Sequence, residues 1–268
     1  MLQLSNAEPK RDHFSASQIN RFLNEPSLWL LDRLFGIKSE GGANMWRGTA
    51  VEAGCDLAMF TGADDDAAIN TAIQAFDREA HGVVDEQTDR VRAEIPIYLK
   101  NLLPSMRELG QPFIKQVRIG LNIEGIEAEI IGYIDYVYPD RLLDLKTTSR
   151  MPSLDNDGRI KDKWDHIRQM AIYERAKALP PTLVYVTPGK PDKGKDHKPP
   201  LFYTPSRDEL DAAMRQIEAG CRAMQRIIRA SNNGRDLRDL AELFPPRDFH
   251  GYMWDETTRT KAIEVWKL

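Results

Sequence analysis

Near residue 113 the hydrophobic pattern of this chain changes period. Before that point apolar residues recur at helical spacing; from Phe113 to Thr148 they alternate with polar ones, as half-buried strands require. Val117, Ile119, Leu121 and Ile123 mark a first strand, Glu127 to Tyr138 a second and Leu142 to Thr147 a third, with turns at Glu124-Gly125 and Pro139-Asp140. Helical spacing returns from Asp162 to Ala178. A short apolar strand follows at Thr182 to Thr187, then a Gly/Pro/Lys-rich loop at 188–200, a partner strand at Leu201 to Thr204, and a long helix from Ser206 to about Ala230. Helices and strands interleaved in this way bury their apolar faces only as a sheet with helices laid against it. The expected fold class is therefore α/β (α+β).

The segment before the period change supplies most of the helical layer. Ser15 and Gln18 form a capping-box pattern, and Ile19, Phe22 and Leu23 give the helix that follows an apolar stripe. Pro26 suits the first turn of a second helix reaching Phe35. Gly41-Gly42 breaks the chain before a helix from about Asn44 to Phe60. Residues 64–109 read as two more, with Asp64, Asp65 and Asp66 complementing a helix dipole and Pro96 expected to bend or interrupt the second. The piece after 230 reads as irregular, ending in an apolar run at Ala262 to Trp266.

At 268 residues the chain suits one domain, spanning 1–268. Its 41% hydrophobic and 29% charged residues are a globular balance. No apolar run approaches the ~18 residues that cross a bilayer, so no membrane association is expected. The segment Met1 to His13 is polar, unlike a secretory signal, and the expected location is cytoplasmic. Cys55 and Cys221 belong to no C-x-x-C pair, which argues against a structural disulfide and a thiolate metal site. The net charge of −4 does not advertise a polyanion-binding surface, although a local basic groove can coexist with an acidic remainder.

Polar residues inside the apolar strands carry the chemistry. Asp144 and Lys146 are two apart, so they share a face, while Leu143 and Leu145 point to the other. With Pro139-Asp140 as a two-residue loop, Tyr138 faces Arg141, and counting outward sets Asp135 opposite Asp144. Directly opposed residues hold their Cβ atoms roughly 4.5–5.5 Å apart. Two carboxylates so placed repel, and charge in an apolar strand is costly unless something offsets it. Mg2+ or Mn2+ would offset it, because hard cations take oxygen ligands, and the Leu145 carbonyl is a natural further ligand. Such a metal polarises a phosphodiester oxygen and activates water, with Lys146 orienting that water or offsetting charge on the phosphate. A solvated surface hairpin can carry the same D-x-K spacing, so the spacing by itself leaves the two readings level.

Asp135, Asp144 and Lys146 together resemble the D…(D/E)-x-K core of the PD-(D/E)XK nucleases. Four further segments are similar, in order, to the RecB-like exonuclease branch, which includes the CRISPR adaptation exonucleases and relatives of lambda exonuclease. They are Ser15 to Phe22 for its S-x-S-x-x-x-x-F start, Gly48 to Glu52 for its G-x-x-x-H/E helix, Gln169 to Tyr173 for its Q-x-x-x-Y helix, and the Thr182 to Thr204 hairpin with the long helix after it. The resemblance implies a restriction-endonuclease-like core, a central mixed β-sheet flanked by helices, with a helical insertion at about 62–110. It implies Glu52, Asp135 and Asp144 as metal ligands and Lys146 as the catalytic cation. Gln169 and Tyr173, i and i+4 on one helix face that His166 joins, would line the substrate side. Many relatives carry histidine where this chain has Glu52, an exchange that bears on metal preference. Others hold an iron–sulfur cluster on cysteines. The matching positions here are Glu25-Pro26 and the neighbourhood of His250-Gly251-Tyr252-Met253, which have none, so no iron–sulfur cluster is expected.

The implied activity is that of a Mg2+- or Mn2+-dependent DNA exonuclease acting in recombination, repair or processing, with DNA as partner. A recombination or CRISPR protein is a candidate second partner, and the oligomeric state is open. A structure-selective or nicking endonuclease and a non-cleaving DNA-binding module are the alternatives. Arg47, Lys161, Lys163 and Arg168 neighbour the motifs and are candidate phosphate contacts, whereas Lys190, Lys193, Lys195 and Lys198 read as a solvated loop. Substitution of Asp144 by Ala is expected to abolish cleavage while the circular-dichroism spectrum stays that of the folded chain; persistent cleavage would sink the assignment.

Overall fold

The alternation between 113 and 148 becomes the middle of a six-stranded mixed sheet. This computed structural model describes residues 13–268 apart from 39–40, 192, 195, 233–236 and 252. The terminus before residue 13, Lys195 and Tyr252 lie outside the described residues. The elements run β1 (His13–Ser15), α1 (Ala16–Asn24), α2 (Pro26–Phe35), α3 (Ala43–Thr61), α4 (Asp65–Ala80), α5 (Glu86–Leu109), β2 (Ile114–Leu121), β3 (Glu129–Val137), β4 (Leu142–Thr147), α6 (Trp164–Lys177), β5 (Pro181–Val186), β6 (Leu201–Tyr203), α7 (Arg207–Asn232), α8 (Leu237–Glu242) and α9 (Glu256–Trp266). Among the described residues, no helix is long and apolar enough to cross a membrane.

The sheet is forked. One edge of β3 pairs with β2 along most of its length. The other edge is shared: β1 lies parallel to its beginning, at Glu129 to Ile131, and β4 antiparallel to its end, at Tyr136 and Val137. The hairpin has the register expected from a two-residue loop, since Tyr138 N–H donates to Arg141 O at 2.9 Å and Tyr136 faces Leu143. Regular pairing goes no further. Beyond that pair β4 follows β5, its parallel partner from Leu142 to Thr147, and β6 closes the sheet on the far side.

Helices cover both faces. Helices α1, α6 and α7 pack with Ile130, Ile134, Leu142 and Leu183 in one core; α3, α4 and α5 pack with Tyr136, Tyr138, Leu143 and Val184 in another. Ile130, Ile134, Tyr136 and Tyr138 would share a face on a regular strand, yet they divide between the two cores. The alternation therefore inverts at Asp135. The neighbouring strand shifts in step: Val117 packs in the first core, whereas Lys115 reaches Asp56 and Phe60 on α3. Between them Gln116, opposite Asp135 by count, has φ of 50°.

Sequence and structure differ at some ends. Helix α5 continues through Pro96 and Pro104 without interruption. A proline in a helix costs about 3 kcal/mol, but Ile95, Tyr98, Leu99, Leu102, Leu103 and Met106 are all buried on its inner face, and each large apolar side chain recovers roughly 1.5–3 kcal/mol. The C-terminal piece, read as irregular, contains α8 and α9, the latter opened by a capping box between Asp255 and Thr258. Strand β1 has too few residues to signal itself and forms because β3 offers an edge. Helices α2, α8 and α9 enclose a third cluster of Leu28, Leu31, Ala241, Trp254, Ala262 and Val265.

A buried carboxylate fastens this last layer. Glu25, 3% exposed at the α1–α2 junction, accepts the backbone amides of Arg247 and Asp248 (Oε2 at 3.1 Å from each) and the Ser27 hydroxyl. Replacing Glu25 by Ala leaves those amides without an acceptor. The substitution is expected to destabilise the fold by about 3 kcal/mol, read as a lowered urea midpoint; an unchanged midpoint would remove Glu25 from this role.

Candidate active site

Where β4 departs from β3, the next ladder bond would carry the Leu145 amide to the backbone of Ile134. It goes instead to a side chain: Leu145 N–H donates to Asp135 Oδ2 at 2.7 Å. Asp135 thus spans the fork and holds it open. Asp144 and Lys146, on the β4 side, face α6.

Asp144 is 1% exposed. Lys146 Nζ stands 2.6 Å from its Oδ2 and donates at 2.9 Å to Gln169 Oε1. Gln169 Nε2 donates to Asp144 Oδ1 at 3.0 Å and to the Tyr173 hydroxyl at 2.6 Å. Tyr173 in turn donates to the Tyr133 carbonyl. One amide therefore sets the acid, the base and a tyrosine in fixed relation, and the i, i+4 spacing of Gln169 and Tyr173 on α6 makes it possible. Tyr173 is only 2% exposed and lies beneath these groups, away from solvent. Gly132 leaves room for its ring.

Glu52 enters from the opposite layer, on α3. Its carboxylate accepts from the Gln116 side-chain amide, and one helical turn further Asp56 is paired with Lys115 at 2.7 Å. Gln116 and Asp56 were missed in the sequence. Asp56 carried a signal, at i+4 from Glu52; Gln116 carried none, because only the kink in β2 brings it here.

Electrostatics confirm crowding. Burial, then Asp56, pushes the Glu52 carboxyl up to about 7. Burial, then Asp144 and Glu52, holds Asp135 well above the usual carboxylate range. Burial raises Asp144 as well, against the pull of Lys146. For Lys146 burial by itself would lower the ammonium, but Asp144 and Asp135 outweigh it and keep it above its ordinary value. Three carboxylates thus share one lysine. Oδ2 of Asp144 is buried without an aligned hydrogen-bond donor, despite the close Nζ. This donor set fits a hard divalent cation. Among the described residues no three Asp, Glu, His or Cys side chains stand close enough to enclose an ion; Asp144 is paired with Lys146, and Glu52 is bonded to Gln116.

The remaining expected residues separate. Arg47 is 5% exposed and braces the end of β4, donating to the Thr147 carbonyl at 3.1 Å with its guanidinium 5.0 Å from the Tyr98 ring centroid. Arg168 is 9% exposed and turned away from the site, bonded to Gln216 at 2.8 Å and Asn20 at 2.9 Å. Both guanidinium groups are committed to packing. Lys161 is exposed and Lys163 half-exposed, in the loop leading to α6. His166 meets the Tyr185 hydroxyl at 2.7 Å on β5; burial, then Lys146, lowers its imidazole to about 4, so it is neutral at pH 7.

A family model described as the PD-(D/E)XK nuclease superfamily matches residues 13–236. The chain belongs to the PD-(D/E)XK nuclease superfamily. The superfamily consists of phosphodiester hydrolases that generally use divalent metals. Searched against curated proteins, the chain matches none. Among solved structures it is similar to a Eubacterium rectale protein provisionally named an exonuclease, with a TM-score of 0.57 and 16% identity over 87% of this chain and 86% of that one. At that identity the likeness shows the fold alone, a mixed sheet flanked by helices.

The close fit at Gly132 makes the positioning chain testable. A methyl group there would stand 2.7 Å from Cε1 of Tyr173. Gly132→Ala is expected to displace the ring and with it Gln169, lowering nuclease turnover about 100-fold at a stability cost of roughly 1–3 kcal/mol. Unchanged turnover in the folded variant would show that Tyr173 does not position the site.

Proposed function

We propose that this protein is a Mg2+- or Mn2+-dependent DNA exonuclease of the RecB-like branch, serving DNA recombination, repair or processing. The observation that carries the reading is the buried cluster of Asp144, Lys146 and Gln169 beside Asp135 at the sheet fork. So much unbalanced charge in a sheet interior is costly to folding and makes sense only as chemistry. Glu52, Asp135, Asp144 and the Leu145 carbonyl would hold the ion, which when bound polarises a phosphodiester oxygen and activates water.

The protein's own groups do the rest. Lys146, held protonated by Asp144 and Asp135, offsets negative charge developing on the phosphate. Gln169 bridges the Lys146–Asp144 pair, its carbonyl accepting from the ammonium and its amide donating to the carboxylate. Tyr173 locks that amide's orientation. Lys161, exposed, and Lys163, half-exposed, are candidate contacts for a DNA backbone, and their effect would fade with added salt.

The test is degradation of end-labelled linear DNA beside covalently closed circular DNA, with Mg2+, Mn2+ or chelator. Linear DNA is expected to lose label only with metal, closed circles to survive, and Lys146→Ala to lower the rate about 100- to 1,000-fold. Nicked circles would convert the reading to an endonuclease. Binding without cleavage in either metal would reduce the protein to a DNA-binding module.

A further inference from the structure

Gln116 is out of place by ordinary strand rules. It lies in β2 with φ of 50°, a left-handed conformation that costs a non-glycine residue roughly 1–2 kcal/mol. Glycine would adopt it freely. The side chain is exposed, so burial does not repay the cost. What it does make is a hydrogen bond from its amide to Oε1 of Glu52. Backbone strain of this kind persists where neighbouring structure imposes it, and it collects at functional sites.

The chemistry of that contact is specific. An amide is a neutral donor: it occupies one carboxylate oxygen and leaves the negative charge in place. Lys115, the adjacent residue, would have cancelled that charge, but its ammonium is paired with Asp56 at 2.7 Å. Glu52 is therefore presented with Oε1 engaged and, among the described residues, no hydrogen bond to its other oxygen. Ca2+ takes six to eight oxygens and readily accepts a carboxylate through both; Mg2+ is smaller, keeps several waters and is satisfied by fewer protein oxygens.

We infer that Gln116 is a positioning residue which restricts Glu52 to a single available oxygen and thereby biases the site toward Mg2+ over Ca2+. The inference rests on the proposed reading of Glu52, Asp135 and Asp144 as a cation site. It adds to that reading a residue outside the ligand set and assigns it the choice of ion.

Calorimetric titration of the full chain with Mg2+ alone and with Ca2+ alone tests it, without nuclease activity as the readout. Gln116→Gly is the clean variant, because glycine keeps the left-handed backbone and removes only the amide. Partners behind a ligand typically alter metal affinity by about 10- to 100-fold when removed. In Gln116→Gly the ratio of Ca2+ to Mg2+ affinity is expected to rise about tenfold or more. Gln116→Asn, which tolerates the same backbone but is one methylene too short to reach Glu52, is expected to shift the ratio in the same direction, and it serves should the glycine variant not fold. Affinities that fall equally for both ions, or do not change, would overturn the role of Gln116 while leaving the cation site standing. A wild-type chain that binds neither ion would overturn both.

Discussion

The bond between the Asp135 carboxylate and the Leu145 amide is the point on which the site turns. A backbone amide facing a neighbouring strand must be satisfied, and a ladder carbonyl would ordinarily do it. Here a side chain takes that place, so β4 can leave β3 without an orphaned donor. The fork that results joins two layers that a continuous sheet would keep apart. Gln169 reaches Asp144 from the α6 layer, and Glu52, bonded to Gln116 on the α3 side, acts on Asp135 through its charge.

Such a site is expensive in free energy and must be held by its surroundings. Asp144 is almost fully buried beside a single lysine, with two further carboxylates acting on it or on one another. The strand ends that carry these groups are tied down from several directions. Arg47 holds the Thr147 carbonyl, and the Tyr98 hydroxyl donates to that of Thr148 at 3.0 Å. Asn101, 2% exposed, donates to the carbonyls of Thr187 and Gly189 and accepts the Lys198 amide, fastening the loop after β5. Helix α5 supplies both Tyr98 and Asn101. Its role in the site is thus rigidity rather than chemistry, and this explains why a helix with two internal prolines is kept packed against strands β4 and β5.

Much of this was legible beforehand for identifiable reasons. The turn could be placed because a two-residue loop leaves one register, and Tyr138 does face Arg141; the regular ladder that would have carried Asp135 opposite Asp144 ends at Tyr136 and Leu143. Gln169 and Tyr173 could be paired because helical spacing stacks i over i+4. Arg47 and Arg168 look like phosphate contacts in the sequence, but whether a guanidinium faces solvent or a carbonyl depends on residues a hundred or more positions away, such as Thr147 and Asn20. Helix α9 was hidden by a weak apolar stripe, although its Asp255 and Thr258 cap could have been read.

The sequence by itself determined the periods, the turns and the spacing of charged residues along each element, because these follow from local backbone geometry. That was enough for an α/β chain with its strands and helices in order, and for the spacing of Asp144 and Lys146 on one face of β4. The tertiary structure alone decided the fork, the inversion of faces at Asp135 and Gln116, and the bond that holds Glu52 to Gln116. These arise from competition among strands for one edge of β3, where β1 and β4 each take part and a carboxylate fills the space between. No local pattern encodes that competition, since its outcome depends on which segments distant in sequence arrive at the same edge.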